Sequence, residues 1–165
     1  MAKPNALVKI SGNLLEKKEV IERLRVLSRS YFLVILIGGG EQINTAFKEK
    51  GFGIKFSPLG RITESLVERQ LARDILETNQ AFIQDLLDEE GITARVIIPV
   101  MDIATVLCHV NGDVEILAAY GGFDKLFLFT LKDKVEEKNL WLKELAKCFE
   151  YIERGELDKI EVVGF

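Results

Sequence analysis

Histidine, cysteine and proline are all scarce in this sequence. Its 165 residues include one histidine, two cysteines and three prolines. The cysteines, Cys108 and Cys148, lie far apart in apolar runs and lack the spacing of metal ligands. We therefore expect buried, reduced thiols and no zinc site. The few prolines exclude a proline-rich linker protein.

Positive charge is not in excess, and long apolar runs are missing. The 22 basic and 26 acidic residues give a formal net charge of −4, whereas a nucleic-acid-binding protein normally carries a basic stripe. No apolar run reaches the roughly 20 residues that a membrane-spanning helix needs. Residues 1–4 lead directly into a strand-like segment, without the pattern of a signal peptide. We expect a cytoplasmic protein that binds neither nucleic acid nor a membrane.

Apolar residues are abundant enough for a packed core. They make up 48% of the chain, which is too large a share for a disordered protein. A chain of this length buries about 70% of the surface that its unfolded form exposes. Since no internal repeat, low-complexity segment or linker is visible, we predict a single domain over residues 1–165.

Strand-like and helix-like segments alternate along the chain. Continuous apolar runs predict strands over residues 6–10, 31–37, 95–100, 125–131 and 160–163. Apolar residues at helical spacing predict helices over residues 41–50, 63–90, 113–120 and 134–154, and residues 51–60 are expected to form a loop with one short strand at most. The alternation predicts an α/β fold, a three-layer α/β/α sandwich with a mostly parallel sheet.

Two helix starts carry a recognisable pattern. Asn13 and Ser65 are each followed three residues later by a glutamate, which is typical of a capping box. The pattern predicts that a first helix begins near Asn13 and that the long third helix begins near Ser65. Gly91 is expected to end that long helix, because glycine commonly follows the last helical turn.

The loop after the first strand is one candidate binding site. In an open α/β sheet, ligands bind beyond the carboxyl ends of the strands. Residues 9–13 (KISGN) end a strand and are expected to open a helix, so their backbone N–H groups and the helix dipole favour a phosphate or carboxylate. Lys9 would add a positive charge, and the alternative is a tight turn beside a surface lysine.

The loop after the second strand is the other candidate. Gly38, Gly39 and Gly40 follow one another, and each glycine in a regular element costs about 0.5–1 kcal/mol relative to alanine. Close approach of a ligand to the backbone offsets that cost, although sharp packing of strand against helix would also explain it. The spacing matches neither a dinucleotide fingerprint nor a Walker A loop.

In this order, the two loops resemble those of the amino-acid kinase superfamily, which includes acetylglutamate kinase and UMP kinase. Five segments carry the resemblance: KISG at 9–12, LIGGGEQIN at 36–44, LGRIT at 59–63, VNGD at 110–113 and KLFLFT at 125–130. The resemblance implies an amino-acid-kinase-like fold and a phosphotransferase that uses ATP and Mg²⁺, and it assigns no metal-ligating residue.

The resemblance also implies a role for each site residue. Lys9 would stabilise charge on the transferred phosphoryl group, and Asp113 would orient the lysine. Substrate or phosphate binding falls to Gly12, Gly38, Gly39, Gly40, Arg61 and Asn111, and nucleotide binding falls to Thr130. Arg61 in particular would clamp a substrate anion.

Two departures from the family pattern leave two hypotheses open. Residues 130–134 are TLKDK where the family has Thr-Asp-x-x-Gly, and the Gly-Gly-Met segment before the family's second lysine has no counterpart. One hypothesis is a compact ATP-dependent kinase acting on a small carboxylate or phosphate acceptor. The other is a non-catalytic protein that binds a small-molecule anion and has lost most of the nucleotide lobe, acting as a sensor or regulatory module.

Several further residues have alternative interpretations. His109 is either a packed histidine or a catalytic one, and Asp102 either faces the same crevice or caps a helix. Lys143 and Lys147 lie near the expected place of the second lysine, but on a helix whose face is expected to be solvated. The charged run at 136–138 is also expected to lie on a solvated face.

The long third helix is the expected place of self-association. Its apolar residues cover more than half of its circumference, so we predict a homo-oligomer. Asn79 and Gln80 interrupt its apolar stripe and would then face either a ligand or a partner chain.

Overall fold

Five parallel strands form the central sheet. The computed structural model describes residues 3–14, 16–57, 60–103, 106–109, 111–149, 152 and 157–165. The strands in chain order are β1 Asn5–Ile10, β2 Phe32–Ile37, β3 Lys55–Ser57, β4 Gly60–Ile62, β5 Ala94–Ile97, β6 Val100–Ile103, β7 Val106–His109, β8 Lys125–Thr130 and β9 Ile160–Gly164. The sheet has the order β5-β2-β1-β8-β9, and β3–β4 and β6–β7 are separate antiparallel pairs.

Helices pack on both faces of this sheet. They are α1 Lys18–Ser30, α2 Gly40–Glu49, α3 Leu66–Glu89, α4 Gly112–Ala118 and α5 Val135–Ala146. On one face, Leu24 of α1 and Ile83 of α3 share a buried cluster with the strands. On the other face, Ile116 of α4 and Leu142 of α5 do the same. The predicted α/β fold with a mostly parallel sheet is therefore confirmed, and helices on both faces are compatible with three layers.

The central strands are buried because apolar side chains project from both of their faces. Every residue of β8 after Lys125 is buried, and β1 is buried at all but its first residue and Lys9. β1 lies between β2 and β8 and pairs in parallel with both. Chain connections therefore leave β1 toward β2 and β8 toward β9, in opposite directions along the sheet.

The two predicted capping boxes have different outcomes. At α3 the Ser65 hydroxyl accepts from the Glu68 backbone N–H at 3.2 Å, and the Glu68 carboxylate accepts from the Glu64 N–H at 2.6 Å. Gly91 follows with φ +67°, a conformation that favours glycine. The start near Asn13 is wrong: residues 12–14 form a single 3₁₀ turn, and α1 begins only at Lys18, without a side-chain cap.

The long helix α3 covers the edge strand β5. The Gln80 amide donates to the Val96 carbonyl at 2.8 Å, and the Gln84 amide donates to the Ala94 carbonyl at 3.2 Å. Val96 in turn donates its backbone N–H to the Gln84 side-chain oxygen at 3.0 Å. Gln80 therefore faces the sheet and not a ligand or partner chain, because unpaired backbone groups at the edge bind its amide.

Two hairpins were not predicted. β5 stops at Ile97, and Pro99 follows, which has no N–H to continue a ladder. The predicted strand over residues 95–100 therefore ends early, and β6 and β7 pair beyond it. The second hairpin, β3–β4, occupies the segment where one short strand was expected.

The last predicted helix is shorter than expected. α5 ends at Ala146, after which backbone hydrogen bonds of the i to i−3 type tighten the chain, as in Cys148 N–H to the Leu145 carbonyl at 3.0 Å. Cys148 is exposed in this turn, so the prediction of a buried thiol is wrong there. The rest of the predicted helix, including Gly155, lies mostly outside the described residues.

Some predicted features concern side chains that the structure does not describe. Asp102 lies within β6, Cys108 and His109 lie within β7, and a helix-capping role for Asp102 is excluded by its place in the strand. None of the described helices is both long and apolar enough to cross a membrane. The cytoplasmic location stays a prediction.

Candidate functional site

A cavity of about 550 Å³ opens at the carboxyl ends of β1 and β2. We name it the edge cavity. It is bounded by the loops after β1 and β2, the β3–β4 hairpin, the start of α4 and the first two turns of α5. Its volume lies within the range of small-molecule binding sites. The two candidate loops therefore face the same space, as the sequence predicted.

Two lysines share one carboxylate on the wall of this cavity. Lys9 Nζ lies 3.1 Å from Asp113 Oδ1, and Lys138 donates a hydrogen bond to Asp113 Oδ2. The exposed fractions of these side chains are 12% for Lys9, 4% for Asp113 and 25% for Lys138. Lys9 Nζ also donates a hydrogen bond to Ser11 Oγ at 3.4 Å. Two ammonium groups and one carboxylate leave this cluster with one positive charge in excess.

Burial and neighbouring charges shift the ionisation of this cluster. Burial lowers the pKa of Lys9, and the Lys138 ammonium lowers it further, while Asp113 opposes both effects. Burial alone would raise the pKa of Asp113, but the two ammonium groups together hold it below its ordinary value. Asp113 is therefore ionised at neutral pH, and Lys9 loses its proton more readily than a solvated lysine.

The start of α4 places Asp113 next to Lys9. The Asn111 side chain accepts a hydrogen bond from the Asp113 backbone N–H at 2.9 Å and so caps the helix. Gly112 lies against the lysine stem, since a Cβ at this glycine would be 3.3 Å from Lys9 Cε. Asn111 also lines the edge cavity, so the structure brings Lys9, Asn111 and Asp113 together as predicted.

Arg61 lies on another wall of the cavity, on β4. Its guanidinium stacks between the rings of Phe47 and Phe56, 5.1 Å and 4.7 Å from their centroids. Its Nη2 donates to Asn44 Oδ1 at 2.9 Å and to the Gly40 carbonyl at 3.3 Å.

The rest of the Arg61 guanidinium has no described partner. The residue is 6% exposed, and its Nε and Nη1 are buried without a hydrogen bond. Burial lowers its pKa, yet a guanidinium stays protonated in proteins. Among the described residues, no carboxylate forms an ion pair with it.

The glycines of the two loops serve different purposes. A Cβ at Gly12 would be 3.2 Å from the Gly38 carbonyl oxygen, and one at Gly39 would be 3.1 Å from both Asn79 Nδ2 and a methyl of Leu76. Those two glycines are explained by packing. A Cβ at Gly40 would meet nothing within 4 Å, and one at Gly38 only the Ile10 carbonyl at 4.0 Å.

The backbone at the start of α2 also borders the cavity. The helix begins at Gly40, and its N-cap residue Gly39 offers no side chain to its first N–H groups. These groups carry the positive end of the helix dipole. The corresponding expectation for the loop after β1 is wrong, because α1 begins six positions after Gly12 and its dipole does not start in that loop.

Other candidates lie away from the cavity, and one contributor was missed. Thr130 is buried at the end of β8 and does not line the edge cavity. Lys143 and Lys147 are exposed, as expected. Lys138, which the sequence placed on a solvated face, instead reaches Asp113. Its position three residues before Trp141, which also lines the cavity, places both on one face of α5.

Within the described ranges, no group of three or more histidine, cysteine, aspartate or glutamate side chains could hold a metal ion. The charged side chains that line the cavity are three cations, Lys9, Arg61 and Lys138, and three carboxylates, Glu41, Asp113 and Glu137.

Solved structures share this fold at low sequence identity. No protein-family model matches the chain, and the search of curated proteins finds no match. N-acetylglutamate synthase from Neisseria gonorrhoeae, complexed with coenzyme A and N-acetyl-glutamate, aligns with 99% of this chain at 14% identity and a TM-score of 0.59. The same enzyme complexed with coenzyme A and L-arginine aligns with 99% at 12% identity and a TM-score of 0.63.

A third structure matches over nearly its whole length. The protein smu.665 from Streptococcus mutans UA159 aligns with 95% of this chain and 93% of its own, at 13% identity and a TM-score of 0.61. The chain spans only 55% and 57% of the two synthase chains. At these identities the likeness shows a common fold.

The comparison overturns the resemblance to the amino-acid kinases. The enzyme in two of the matches is a synthase complexed with coenzyme A. The expected ATP-dependent phosphorylation and its cofactors are therefore wrong, as is the family identification. The absence of the Thr-Asp and Gly-Gly-Met segments gives the physical reason, since these segments would have bound the nucleotide. What the chain is similar to is the fold of N-acetylglutamate synthase.

Proposed function

We propose that this chain binds a small metabolite bearing a carboxylate in the edge cavity. The side chain of Arg61 carries this proposal. Its guanidinium is buried, two of its nitrogens lack a hydrogen-bond partner, and no described carboxylate pairs with its charge. A carboxylate ligand that contacts Arg61 from the edge cavity would supply the missing negative charge and a charge-assisted hydrogen bond.

The electrostatics of the cavity support an anion. On one wall, the two positive charges of Lys9 and Lys138 exceed the single negative charge of Asp113. The two other carboxylates at the cavity, Glu41 and Glu137, are exposed, and Glu137 pairs with a lysine outside the cavity. The inner walls therefore attract negative charge, and water at the rim screens the outer carboxylates.

The ligands of the similar structures also favour the binding of a carboxylate. N-acetyl-glutamate and L-arginine, named in the two synthase complexes, both carry a carboxylate. A second candidate function is binding of coenzyme A with acetyl transfer, which is favoured by the presence of coenzyme A in both complexes. The phosphates of coenzyme A would contact the same cationic side chains of the cavity.

Calorimetric titration tests the proposal. N-acetyl-glutamate, L-arginine, coenzyme A and inorganic phosphate are titrated separately into the protein, with thermal unfolding as the second measurement. A carboxylate ligand at 100 times its Kd should raise the free energy of unfolding by about 2.7 kcal/mol. That corresponds to a rise of several degrees in Tm.

One conservative variant locates the binding. Arg61→Lys keeps the charge but loses the planar fork, so we expect carboxylate affinity to fall roughly 10- to 150-fold. Arg29→Lys, at an exposed position in the last turn of α1, is the matched control and should bind as the wild type does. Binding of coenzyme A alone would favour the second candidate, and carboxylate affinity unaffected in Arg61→Lys would contradict the first.

Self-association through α3 is also proposed. Three apolar side chains of this helix, Leu66, Val67 and Phe82, are each at least half exposed. Burying them against a second copy would remove apolar surface from water. Analytical ultracentrifugation should show a mass that rises with concentration, and a monomer at every concentration would contradict this proposal.

A further inference from the structure

We propose that Lys9 is a carbonyl-reactive amine, and that the edge cavity takes an oxo acid whose carbonyl carbon forms an imine with Lys9 Nζ. This inference rests on the proposed function, because it needs a carboxylate anchored in the same cavity. It adds a covalent step and a substrate class: small carboxylates that also carry an aldehyde or ketone.

The sharing of one carboxylate by two ammonium groups is the first observation. Lys138 donates a hydrogen bond to Asp113 Oδ2, and Lys9 Nζ lies 3.1 Å from Oδ1. Lys9 is the more deeply buried of the two cations, with 12% of its side chain exposed against 25% for Lys138. A second positive charge next to a buried lysine is a known way of producing a neutral amine, which is the form that attacks carbonyl groups.

The surroundings of Lys9 Nζ are the second observation. The side chain comes from the buried strand β1 and lines the cavity, with Ser11 Oγ at 3.4 Å as a further neighbour. Gly112 leaves room beside the lysine stem that a larger residue would fill. The amine is thus held at a wall of a small-molecule cavity and is shielded from bulk water. The lowered pKa of Lys9 agrees with this geometry.

The reaction balances without a further reagent. Lys9 first releases its ammonium proton to water. The lone pair of the neutral Nζ then forms a bond to the carbonyl carbon, and the carbonyl π electrons move to the oxygen. Asp113 accepts the two N–H protons in turn and passes them to that oxygen. The carbon–oxygen bond then breaks, water leaves, and a carbon–nitrogen double bond remains. Arg61 holds the carboxylate of the oxo acid at the other wall of the cavity.

Reductive trapping tests this inference. The 165-residue protein is incubated with pyruvate or 2-oxoglutarate, sodium cyanoborohydride is added, and intact-mass spectrometry with peptide mapping locates the adduct. We expect a single adduct at Lys9. Lys9→Arg keeps the positive charge but has no reactive amine and should lose the adduct. Lys143→Ala removes an exposed lysine of α5 and should leave the adduct unchanged.

The pH profile separates a reactive amine from a merely accessible one. Among the described residues, three groups face Lys9 Nζ: Asp113, Lys138 and the Ser11 hydroxyl. Lys138→Met removes the competing cation, so the pH at which trapping reaches half of its maximum should move upward. An unchanged profile in Lys138→Met, or labelling spread over exposed lysines, would overturn the inference.

Matched hydroxy acids distinguish the two proposals. Lactate and 2-hydroxyglutarate have the carboxylates of the oxo acids but no carbonyl. Oxo acids and hydroxy acids that both bind, without trapping at Lys9, would overturn the imine and leave the proposed function standing. If neither class binds, both proposals fail.

Discussion

Replacing Asp113 by asparagine should destabilise the protein far more than removing one of its lysine partners. Asp113→Asn leaves two ammonium groups facing each other next to a neutral amide. Lys9→Met removes one buried charge, and Asp113 keeps its hydrogen bond with Lys138. The two substitutions break the same ion pair, whose atoms are 3.1 Å apart. The difference between their effects on the free energy of unfolding therefore reports the charges that are left in the cluster, and not the lost contact itself.

The geometry sets the size of the two effects. At 3.1 Å, and with an effective dielectric constant of about 20, the attraction between Lys9 and Asp113 is about 5 kcal/mol. Desolvation offsets much of this, and removing one partner of a buried pair typically costs about 3–5 kcal/mol. Lys138 is a quarter exposed and can turn toward water, so we expect about 3 kcal/mol for Asp113→Asn. For Lys9→Met we expect about 1 kcal/mol or less, because an apolar side chain replaces a poorly solvated charge.

The pH dependence gives an independent check. The pKa of Asp113 is lowered from its ordinary 3.8. Its contribution is therefore fully present above that value and is lost as the pH falls through the lower pKa of the folded state. Asp113→Asn should lack this loss at acid pH. The pKa of Lys9 is lowered from 10.5, so stability rises with pH between its folded-state pKa and 10.5. Without Asp113 this rise should begin at a lower pH.

Urea unfolding followed by circular dichroism measures these changes. The midpoint should fall in Asp113→Asn at neutral pH while the slope with denaturant stays constant, and part of the loss should be recovered at alkaline pH. If Lys9→Met lost as much stability as Asp113→Asn, the charge-compensation argument would be refuted.

Two further predictions concern packing and capping. Gly39→Ala should lower the free energy of unfolding by about 1–3 kcal/mol, because its Cβ would press on Leu76 of α3; Gly40→Ala, with open space around it, should leave stability unchanged or raised by up to about 1 kcal/mol. Equal losses in the two variants would contradict this explanation. Ser65→Ala should cost about 1 kcal/mol through the lost helix cap, whereas Ser30→Ala, at the exposed end of α1, should be neutral in the same urea experiment.

Much of the sheet was predictable because the information is local. The apolar runs of β1, β2 and β8 are continuous, and such runs predict strands buried on both faces. At α3 the hydroxyl of Ser65 and the backbone N–H of Glu68 bind within one helical turn, so spacing alone identified the cap. The hydrogen bonds and side-chain periodicity that define these elements lie within short segments, so the sequence alone can indicate them.

The misses arise where distant segments decide the structure. Lys138 reaches Asp113, 25 positions away, only after α4 and α5 pack on the same face of the sheet. Its neighbours in sequence are charged, so the pattern alone placed it in solvent. Likewise the capping pattern at Asn13 is present, but the loop after β1 packs against Gly38, and the helix forms only beyond it.

Lys9 was found by its place at a strand end, whereas Arg61, Asn111 and Asp113 were identified only through the family resemblance, and their chemistry was assigned too narrowly. All four line one cavity, into which the end of β1, the β3–β4 hairpin and the start of α4 converge. That placement follows from the fold whichever ligand the site binds. Residues that select a nucleotide would have been needed to distinguish a kinase from another anion-binding protein, and they are missing from the sequence.

The hydrogen bonds of Gln80 and Gln84 to β5 determine whether another strand can pair with this edge of the sheet. An uncovered edge strand invites another chain to pair with it. Here the side chains of Gln80 and Gln84 donate two hydrogen bonds to backbone carbonyls of Ala94 and Val96 and accept one from the Val96 N–H. A further strand could join this edge only after α3 had given up all three, so recruitment of another chain at β5 requires partial detachment of the longest helix in the described structure.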